Sequence, residues 1–322
     1  MRVLFWGTPD FAVPPLEALL GEGFDVVGVV TQPDRPVGRT RALTPPPVKA
    51  VALREGLPVL QPEKPRGDAV LAELTALGAD INVVVAYGHI LPRAVIEQPP
   101  LGTLNIHASL LPALRGAAPI EAAIRERHTE TGITIMRMVP ALDAGPMLLQ
   151  RAIPILDDET GGELRVRLSE LGAQAIVEAL VMLGAGAITE VAQDDALATY
   201  APKIERDDAQ VDWTRPAEDV AALIRAFDPR PGAFTMLRDV AVKLFGVRYA
   251  HMSGAVDRPG TVLAIDDDSL LVACGEGTVR IRDVHPAGRR RLTAHEWAAG
   301  RGIAPGDVFT ATRSDGAPDT AS

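Results

Sequence analysis

The sequence predicts an α/β chain of two domains: an N-terminal domain built on a parallel sheet and a C-terminal domain of short strands that form a small barrel. Three observations predict this. With 322 residues, 47% of them hydrophobic, the chain is long for one domain and has enough apolar residues for two cores. Apolar β-type runs alternate with helical patterns as far as Gly184. Short strands separated by turn residues then follow a stretch of mixed polarity.

The N-terminal strands and helices are predicted one after another. Each strand is a short apolar run, and each helix repeats its apolar residues at helical spacing. The predicted strands are 3–6, 26–30, 59–60, 81–85, 104–106 and 133–138. The predicted helices are 11–20, 69–77, 117–127 and 162–183. This alternation is typical of a parallel sheet covered by helices.

The C-terminal half has a different pattern. A helix is predicted at 220–227, followed by strands at 234–237, 240–245, 260–265, 269–274 and 278–284. A series of short strands with turns between them favours a small barrel. We therefore place the first domain at residues 1–188, a linker at 189–208 and the second domain at 209–312, with a disordered tail at 313–322.

Cysteine and histidine usage restricts the protein class. The one cysteine, Cys274, excludes an internal disulfide and favours a reducing compartment, so we expect a cytoplasmic protein. The six histidines are scattered without ligand spacing, which predicts no metal site. No apolar run approaches the roughly 20 residues of a membrane span, so we expect no membrane partner. We also expect a monomer.

Charge and glycine patterns leave some alternatives open. The net charge of −10 argues at first against nucleic-acid binding, but from Lys203 onward 16 basic residues face 18 acidic ones. Arg280, Arg282 and the run 289–291 could contact phosphates or form an ordinary solvated face.

Gly7 closes a strand and opens a helix, yet the further glycines of a dinucleotide fingerprint and a P-loop lysine are absent. A dehydrogenase or NTPase therefore has fold analogy alone in its favour.

Asn105 and His107 are the first candidate site residues. They lie on a predicted strand, where a period of two places both side chains on the same face of the sheet. Asp143 follows in the motif Leu-Asp-Ala-Gly. An amide can donate to an oxyanion, an imidazole can move a proton and a carboxylate can orient that imidazole, so the three suit acyl transfer. A buried structural histidine is the competing interpretation of His107.

Ordered motifs extend along most of the chain. They are GTPDFA (7–12), TQPDRPVGR (31–39), PVK (47–49), VVAYG (84–88), NIHASLLP (105–112), RGAAPI (115–120), ETGITIM (130–136), LDAG (142–145) and IRAFDPRP (224–231). With these motifs, residues 1 to about 312 resemble the folate-dependent formyltransferase family. Within that family, the chain is most similar to the branch that formylates methionyl-tRNA.

The resemblance implies a Rossmann-like formyltransferase domain and an OB-like tRNA-binding domain. It implies transfer of a formyl group from 10-formyltetrahydrofolate, as co-substrate, to the α-amino group of methionyl initiator tRNA for translation initiation. The implied catalytic residues are Asn105, His107 and Asp143. The implied folate-binding residues are Ser109, Leu110, Leu111, Pro112, Ala86 and Tyr87. The implied tRNA-binding residues are Arg35, Arg39 and Arg41, in the Pro-rich loop 31–49.

Other functions stay open at this point. One alternative is a formyltransferase of the same fold that acts on an amino-sugar nucleotide or on glycinamide ribonucleotide. The loop at 32–41 disfavours the sugar nucleotide, and the C-terminal domain disfavours glycinamide ribonucleotide. Another alternative is a non-catalytic tRNA-binding protein, which the presence of Asn105, His107 and Asp143 disfavours.

Overall fold

The computed structural model describes residues 1–37, 42–250 and 258–311, which form two compact units. The first unit consists of residues 1–119, 130–154 and 165–202. The second consists of residues 120–129, 155–164 and those from 203 onward. The domain bounds placed at 188 and 208 stay a prediction, and the predicted tail at 313–322 lies outside the described residues.

Strands and helices alternate up to residue 201. The strands are β1 (Arg2–Gly7), β2 (Asp25–Val30), β3 (Arg35–Val37), β4 (Ala42–Thr44), β5 (Val59–Leu60), β6 (Ile81–Val85), β7 (Thr103–His107), β8 (Arg115–Gly116), β9 (Glu130–Arg137), β10 (Met147–Pro154) and β11 (Tyr200–Ala201). The helices are α1 (Val13–Gly21), α2 (Pro47–Arg54), α3 (Asp68–Ala76), α4 (Arg93–Ile96), α5 (Pro119–Arg125) and α6 (Gly161–Gly184).

The main sheet of the first unit has the order β10-β9-β7-β6-β1-β2-β5. From β7 to β5 the neighbouring strands are parallel. β6 is buried along its whole length and β1 along all but its first residue, as expected for strands covered on both faces. The predicted Rossmann-like α/β domain is confirmed.

One edge of this sheet is antiparallel, which the sequence analysis missed. β9 pairs antiparallel with both β7 and β10, and β10 was not predicted at all. The connection from β9 to β10 is residues 138–146, too short for the crossover that a parallel pair needs. β10 was missed because it lies at the sheet edge, where its burial is mixed and no continuous apolar run marks it.

A buried cluster lies beside the carboxyl ends of β1 and β6. The ring of Trp6 meets that of Tyr87 edge-on, with centroids 5.1 Å apart. Leu91 and Val95 belong to the same buried cluster. The Tyr87 hydroxyl has no hydrogen-bond partner among the described residues. Burial raises the pKa of Tyr87 to about 12.

The second unit contains an antiparallel sheet. Its elements are α7 (Ala217–Ala226), β12 (Phe234–Leu237), β13 (Val240–Ala250), β14 (Val262–Ile265), β15 (Leu270–Ala273), β16 (Thr278–Pro286), β17 (Leu292–Thr293) and α8 (Ala294–Ala299). The strand order is β12-β13-β16-β15-β14, with β17 beside β16. Residues 307–310 hydrogen-bond to both edge strands: Thr310 to Met236 at 2.9 Å, and Asp307 to Val262 at 2.8 Å. The sheet therefore curls into a barrel, and the OB-like prediction is confirmed.

Gly132 permits the close approach of β9 and β10. A Cβ at Gly132 would lie 2.1 Å from the Arg151 carbonyl oxygen and 2.6 Å from Leu110 Cδ2. We expect Gly132→Ala to lower the free energy of unfolding by about 1–3 kcal/mol, because the strands must separate to accommodate a methyl group. Urea unfolding measures this. Gly21→Ala, at the end of α1 with open space around it, is the matched control. Equal losses of unfolding free energy in both variants would show that the close approach of β9 and β10 does not require glycine at position 132.

Burial of Tyr87 makes the free energy of unfolding depend on pH in the alkaline range. Its folded-state pKa of about 12 lies above the ordinary value of about 10, so folding favours the neutral phenol. This stabilisation is complete below about pH 10 and is lost as the pH rises through about 12. Tyr87→Phe should therefore show a smaller fall in unfolding free energy between about pH 10 and pH 12. Tyr200→Phe is the control, since Tyr200 is 62% exposed. A Tyr87→Phe curve that matches the wild-type curve would argue against a buried ring.

Candidate active site

His107 ends β7 and lies between two acceptor oxygens. Its ring is buried, with Nε2 3.0 Å from the Leu114 carbonyl oxygen. Nδ1 lies 3.6 Å from Oδ2 of Asp143. A neutral imidazole can donate to one of these oxygens, whereas the imidazolium can donate to both. The ring of His107 therefore has one acceptor at hydrogen-bond distance from Nε2 and a carboxylate just beyond that distance from Nδ1.

Asn105 lies two residues earlier on the same strand and is half-buried. β7 runs between β6 and β9, and Asn105 pairs with Val84 on one side and Met136 on the other. Strand periodicity directs its side chain to the same face as that of His107. The structure therefore brings His107 next to Asp143 and places Asn105 on the face that His107 uses.

The two residues that face the imidazole both have left-handed backbone. Leu114 has a φ of 58° and Asp143 a φ of 48°. For residues other than glycine this conformation costs on the order of 1–3 kcal/mol and persists where the surroundings impose it. Asp143 is held in part by its own carboxylate, which accepts the Gly116 N–H at 2.8 Å. One Asp143 oxygen thus faces both a backbone amide and the ring of His107.

Two motif glycines are required by close backbone contacts. A Cβ at Gly116 would lie 2.5 Å from the Ala201 carbonyl oxygen, where β8 runs beside β11. A Cβ at Gly145 would lie 1.8 Å from the Arg137 carbonyl oxygen. A larger residue at position 116 would push the Leu114 loop away from β11, and one at position 145 would push the Asp143 loop away from β9. The motifs RGAAPI and LDAG therefore include residues that shape the site as well as Asp143 itself.

The predicted folate residues 109–112 form a loop tied to β9 and β10. The Ser109 hydroxyl donates to the Ala113 carbonyl at 2.6 Å. The Leu111 N–H donates to Oγ1 of Thr134 at 3.1 Å, and its carbonyl accepts from Gln150 Nε2 at 2.9 Å. Ser109 and Leu111 are buried, whereas Leu110 and Pro112 are half-buried. Leu110 and Pro112 therefore have the side-chain surface in this loop that a ligand could contact.

The other predicted folate residues, Ala86 and Tyr87, follow β6. Ala86 is exposed, with a φ of 47°. The Tyr87 ring points into the core, but its carbonyl accepts from Thr8 Oγ1 at 3.0 Å and from Gln32 Nε2 at 3.2 Å. The side chain available to a ligand here is thus that of Ala86.

Arg35 is the predicted tRNA residue that the structure describes, since Arg39 and Arg41 lie outside the described residues. Arg35 is exposed on β3, and its Nη2 donates to Gln32 Oε1 at 3.3 Å. Next to it, Asp34 accepts from Gln61 and from Lys49, each at 2.8 Å. These hydrogen bonds hold the pKa of Asp34 below its usual value.

Some residues that organise the site were not predicted as site residues. They are Thr134, Gln150, Gln193 and Thr199. Thr134 belongs to the motif ETGITIM and could have been chosen for its polar side chain on an otherwise apolar strand. Gln193 falls in the predicted linker, where no motif or periodicity marks it.

Metal sites and membrane spans were both searched for in the described parts of the chain. Over residues 1–37, 42–250 and 258–311, no group of three or more His, Cys, Asp or Glu side chains could hold a metal ion. Among the described helices, none combines the length and the apolar character that crossing a bilayer requires.

Relatives of known name match nearly the whole chain. A methionyl-tRNA formyltransferase of Aromatoleum aromaticum is 49% identical over 311 residues, which cover 97% of this chain and 98% of that protein. A methionyl-tRNA formyltransferase of Geobacter metallireducens is 46% identical over 306 residues, covering 95% and 97%.

Solved structures share the fold at lower identity. HypX from Aquifex aeolicus in complex with tetrahydrofolic acid aligns with a TM-score of 0.64 and 19% identity, over 92% of this chain and 46% of that one. WlaRD, a sugar 3N-formyl transferase, aligns with a TM-score of 0.66 and 16% identity, over 90% and 99%. The model of the family described as formyl transferase matches residues 1–180, and that of the formyl transferase C-terminal domain matches residues 203–302. Together with the near full-length relatives, these matches show that the chain belongs to the formyl transferase family.

Proposed function

We propose that this enzyme transfers the formyl group of 10-formyltetrahydrofolate to the α-amino group of methionine on initiator tRNA. The observation that carries the proposal is the placement of His107 between the Leu114 carbonyl and Asp143, with Asn105 on the same strand face. The names of relatives that are 46% and 49% identical support methionyl-tRNA as the acceptor.

The reaction needs one oxyanion stabilised and two protons moved. The amine nitrogen attacks the formyl carbon and forms the new C–N bond, while the carbonyl oxygen becomes an oxyanion. The bond between that carbon and N10 of the folate then breaks. N10 gains a proton and the attacking nitrogen loses one, so the reaction proceeds without a covalent enzyme intermediate.

The three polar residues take separate roles in this reaction. The Asn105 carboxamide donates to the developing oxyanion. The Leu114 carbonyl already occupies Nε2 of His107, so we assign the Nδ1–H edge of the imidazolium to the same oxyanion. Nδ1 lies 3.6 Å from Oδ2 of Asp143, beyond hydrogen-bond distance, so its N–H is not committed to that carboxylate and is available to the oxyanion. Asp143 orients the ring, stabilises its charge and relays a proton through water.

Separate surfaces serve the two substrates in this proposal. Leu110, Pro112 and Ala86 contact the folate, and Ser109, Leu111 and Tyr87 hold the backbone behind them. The segment 31–49, whose sequence includes Arg35, Arg39 and Arg41, contacts the tRNA, and so does the OB-like domain. We propose a cytoplasmic monomer; the single cysteine, Cys274, supports the cytoplasmic location, because a lone thiol favours a reducing compartment.

A direct transfer assay tests the proposal. The purified chain is incubated with formyl-labelled folate and methionyl initiator tRNA, and label on the methionine is measured. Methionyl elongator tRNA, an amino-sugar nucleotide and glycinamide ribonucleotide serve as competing acceptors. Preferential labelling of an alternative small molecule would replace the proposed acceptor. Tight tRNA binding without labelling of any acceptor would favour a non-catalytic tRNA-binding protein.

The oxyanion assignment predicts large losses of turnover. Asn105→Ala and His107→Ala should each lower kcat by about 10²- to 10³-fold, as the loss of one oxyanion donor does elsewhere. Steady-state kinetics with both substrates measures this, and circular dichroism checks that each variant is folded. His295→Ala is the matched control, because the His295 side chain is 60% exposed. Near wild-type turnover in the Asn105 variant would refute its assigned role.

The assignment of segment 31–49 to tRNA predicts a change in tRNA recognition without a change in formyl transfer chemistry. Arg35→Ala should raise KM for charged tRNA and flatten the salt dependence of tRNA binding by roughly one unit of slope, because one phosphate contact is lost. Folate affinity should not change. Arg93→Ala removes an equally charged, 69% exposed side chain elsewhere in the first unit and serves as control. If the Arg35 variant instead weakens folate binding and leaves tRNA binding unaltered, Arg35 serves the folate site.

A further inference from the structure

The segment 191–201 hydrogen-bonds to both loops that face His107; we call it the strap. It belongs to the first unit. At its start, Val191 pairs with Met147, just after the Asp143 loop. At its end, β11 pairs with β8, just after Leu114. The strap therefore crosses from one side of the imidazole to the other.

The strap holds the loop that carries the Leu114 carbonyl. The Leu114 N–H donates to Thr199 Oγ1 at 2.9 Å. The N–H of the next residue, Arg115, donates to the Thr199 carbonyl at 2.9 Å. Since Leu114 has left-handed backbone and its carbonyl contacts Nε2 of His107, these bonds fix one of the two oxygens beside the ring.

Gln193 holds the loop on the other side. Its Nε2 donates to the carbonyls of Asp143, at 2.7 Å, and Gly145, at 2.8 Å. Its Oε1 accepts from Arg115 Nε at 3.0 Å and Nη2 at 2.8 Å. Arg115 is only 3% exposed, and Gln193 Oε1 shares this buried guanidinium with Asp195 Oδ1, which accepts from Nη2 at 2.7 Å. One carboxamide thus joins the Asp143 loop to the residue that follows Leu114.

We propose that Gln193 is a positioning residue for formyl transfer, which sets the distance between His107 and Asp143 by joining the Asp143 loop to the loop of Leu114 and Arg115. The inference rests on the proposed function for its catalytic consequence. Both oxygens beside the ring belong to residues with left-handed backbone outside the main sheet, so the sheet alone does not fix them. A misplacement of about 1 Å is enough to cost on the order of 10²-fold in rate.

The variant Gln193→Glu changes this junction while keeping the size of the side chain. Glutamate still accepts from Arg115, but it presents an oxygen, in place of an N–H₂ donor, to the carbonyls of Asp143 and Gly145. The repulsion between these oxygens should therefore move the Asp143 loop away from residue 193. Gln174→Glu, at an exposed position of α6, adds the same charge and is the matched control.

We expect Gln193→Glu to lower kcat by about 10- to 100-fold, with KM for both substrates within about twofold of wild type. In an Asp143→Ala background the same substitution should have almost no further effect on kcat, since the group it positions is gone. An equal loss in both backgrounds, or a loss no larger than that of Gln174→Glu, would overturn the proposal.

A second readout is independent of turnover. The ¹⁵N ring signals of His107, assigned by their loss in His107→Ala, report whether Asp143 stays beside Nδ1. They should shift in Gln193→Glu and stay in place in Gln174→Glu. Unchanged His107 signals in Gln193→Glu would refute the positioning role. If the wild-type chain formylates no acceptor while these shifts occur, the proposed function fails and the positioning of the pair by Gln193 stands.

Discussion

The site depends on one imidazole held between two oxygens. Each oxygen belongs to a residue whose backbone has the unfavourable left-handed conformation. Leu114 and Asp143 lie in loops on opposite sides of His107, and each has a positive φ. The left-handed conformation costs on the order of 1–3 kcal/mol per residue, and hydrogen bonds elsewhere must offset this cost. Gly116 and Gly145 let neighbouring chain segments approach closely enough to make those bonds. The site geometry thus depends on several crossing backbone segments as much as on the side chains of His107 and Asp143.

The residues proposed to carry the chemistry were predictable from the sequence, and the residues that hold them in place largely were not. Asn105 and His107 lie on one strand, where the period of two predicts that their side chains share a face. Asp143 belongs to a recognisable motif. Gln193 makes its contacts with residues about 50 and 78 positions away. No local pattern encodes such contacts, because they arise only when the sheet brings the loops together.

The fold shows the same division between local and long-range information. β1 and β6 are continuous buried runs, so their sequences predict them, whereas the edge strand β10 has mixed burial and was missed. α8 was also missed, although Thr293 and Glu296 form a capping box that the sequence carries. Tyr87 illustrates a further limit: the folate contact that the resemblance implies for it stays a prediction, and the motif does not encode that its ring turns into the core beside Trp6.

The closing segment of the C-terminal barrel has a consequence for solubility. An open antiparallel sheet would present two rows of unpaired N–H and C=O groups, which are templates for pairing with other chains. Here residues 307–310 occupy parts of both rows at once, and Phe309 stacks on Trp213 at 5.5 Å between ring centroids. Residues 307–310 therefore protect the second unit against edge-to-edge aggregation. A nascent chain lacks this protection until residues 307–310 have been synthesised.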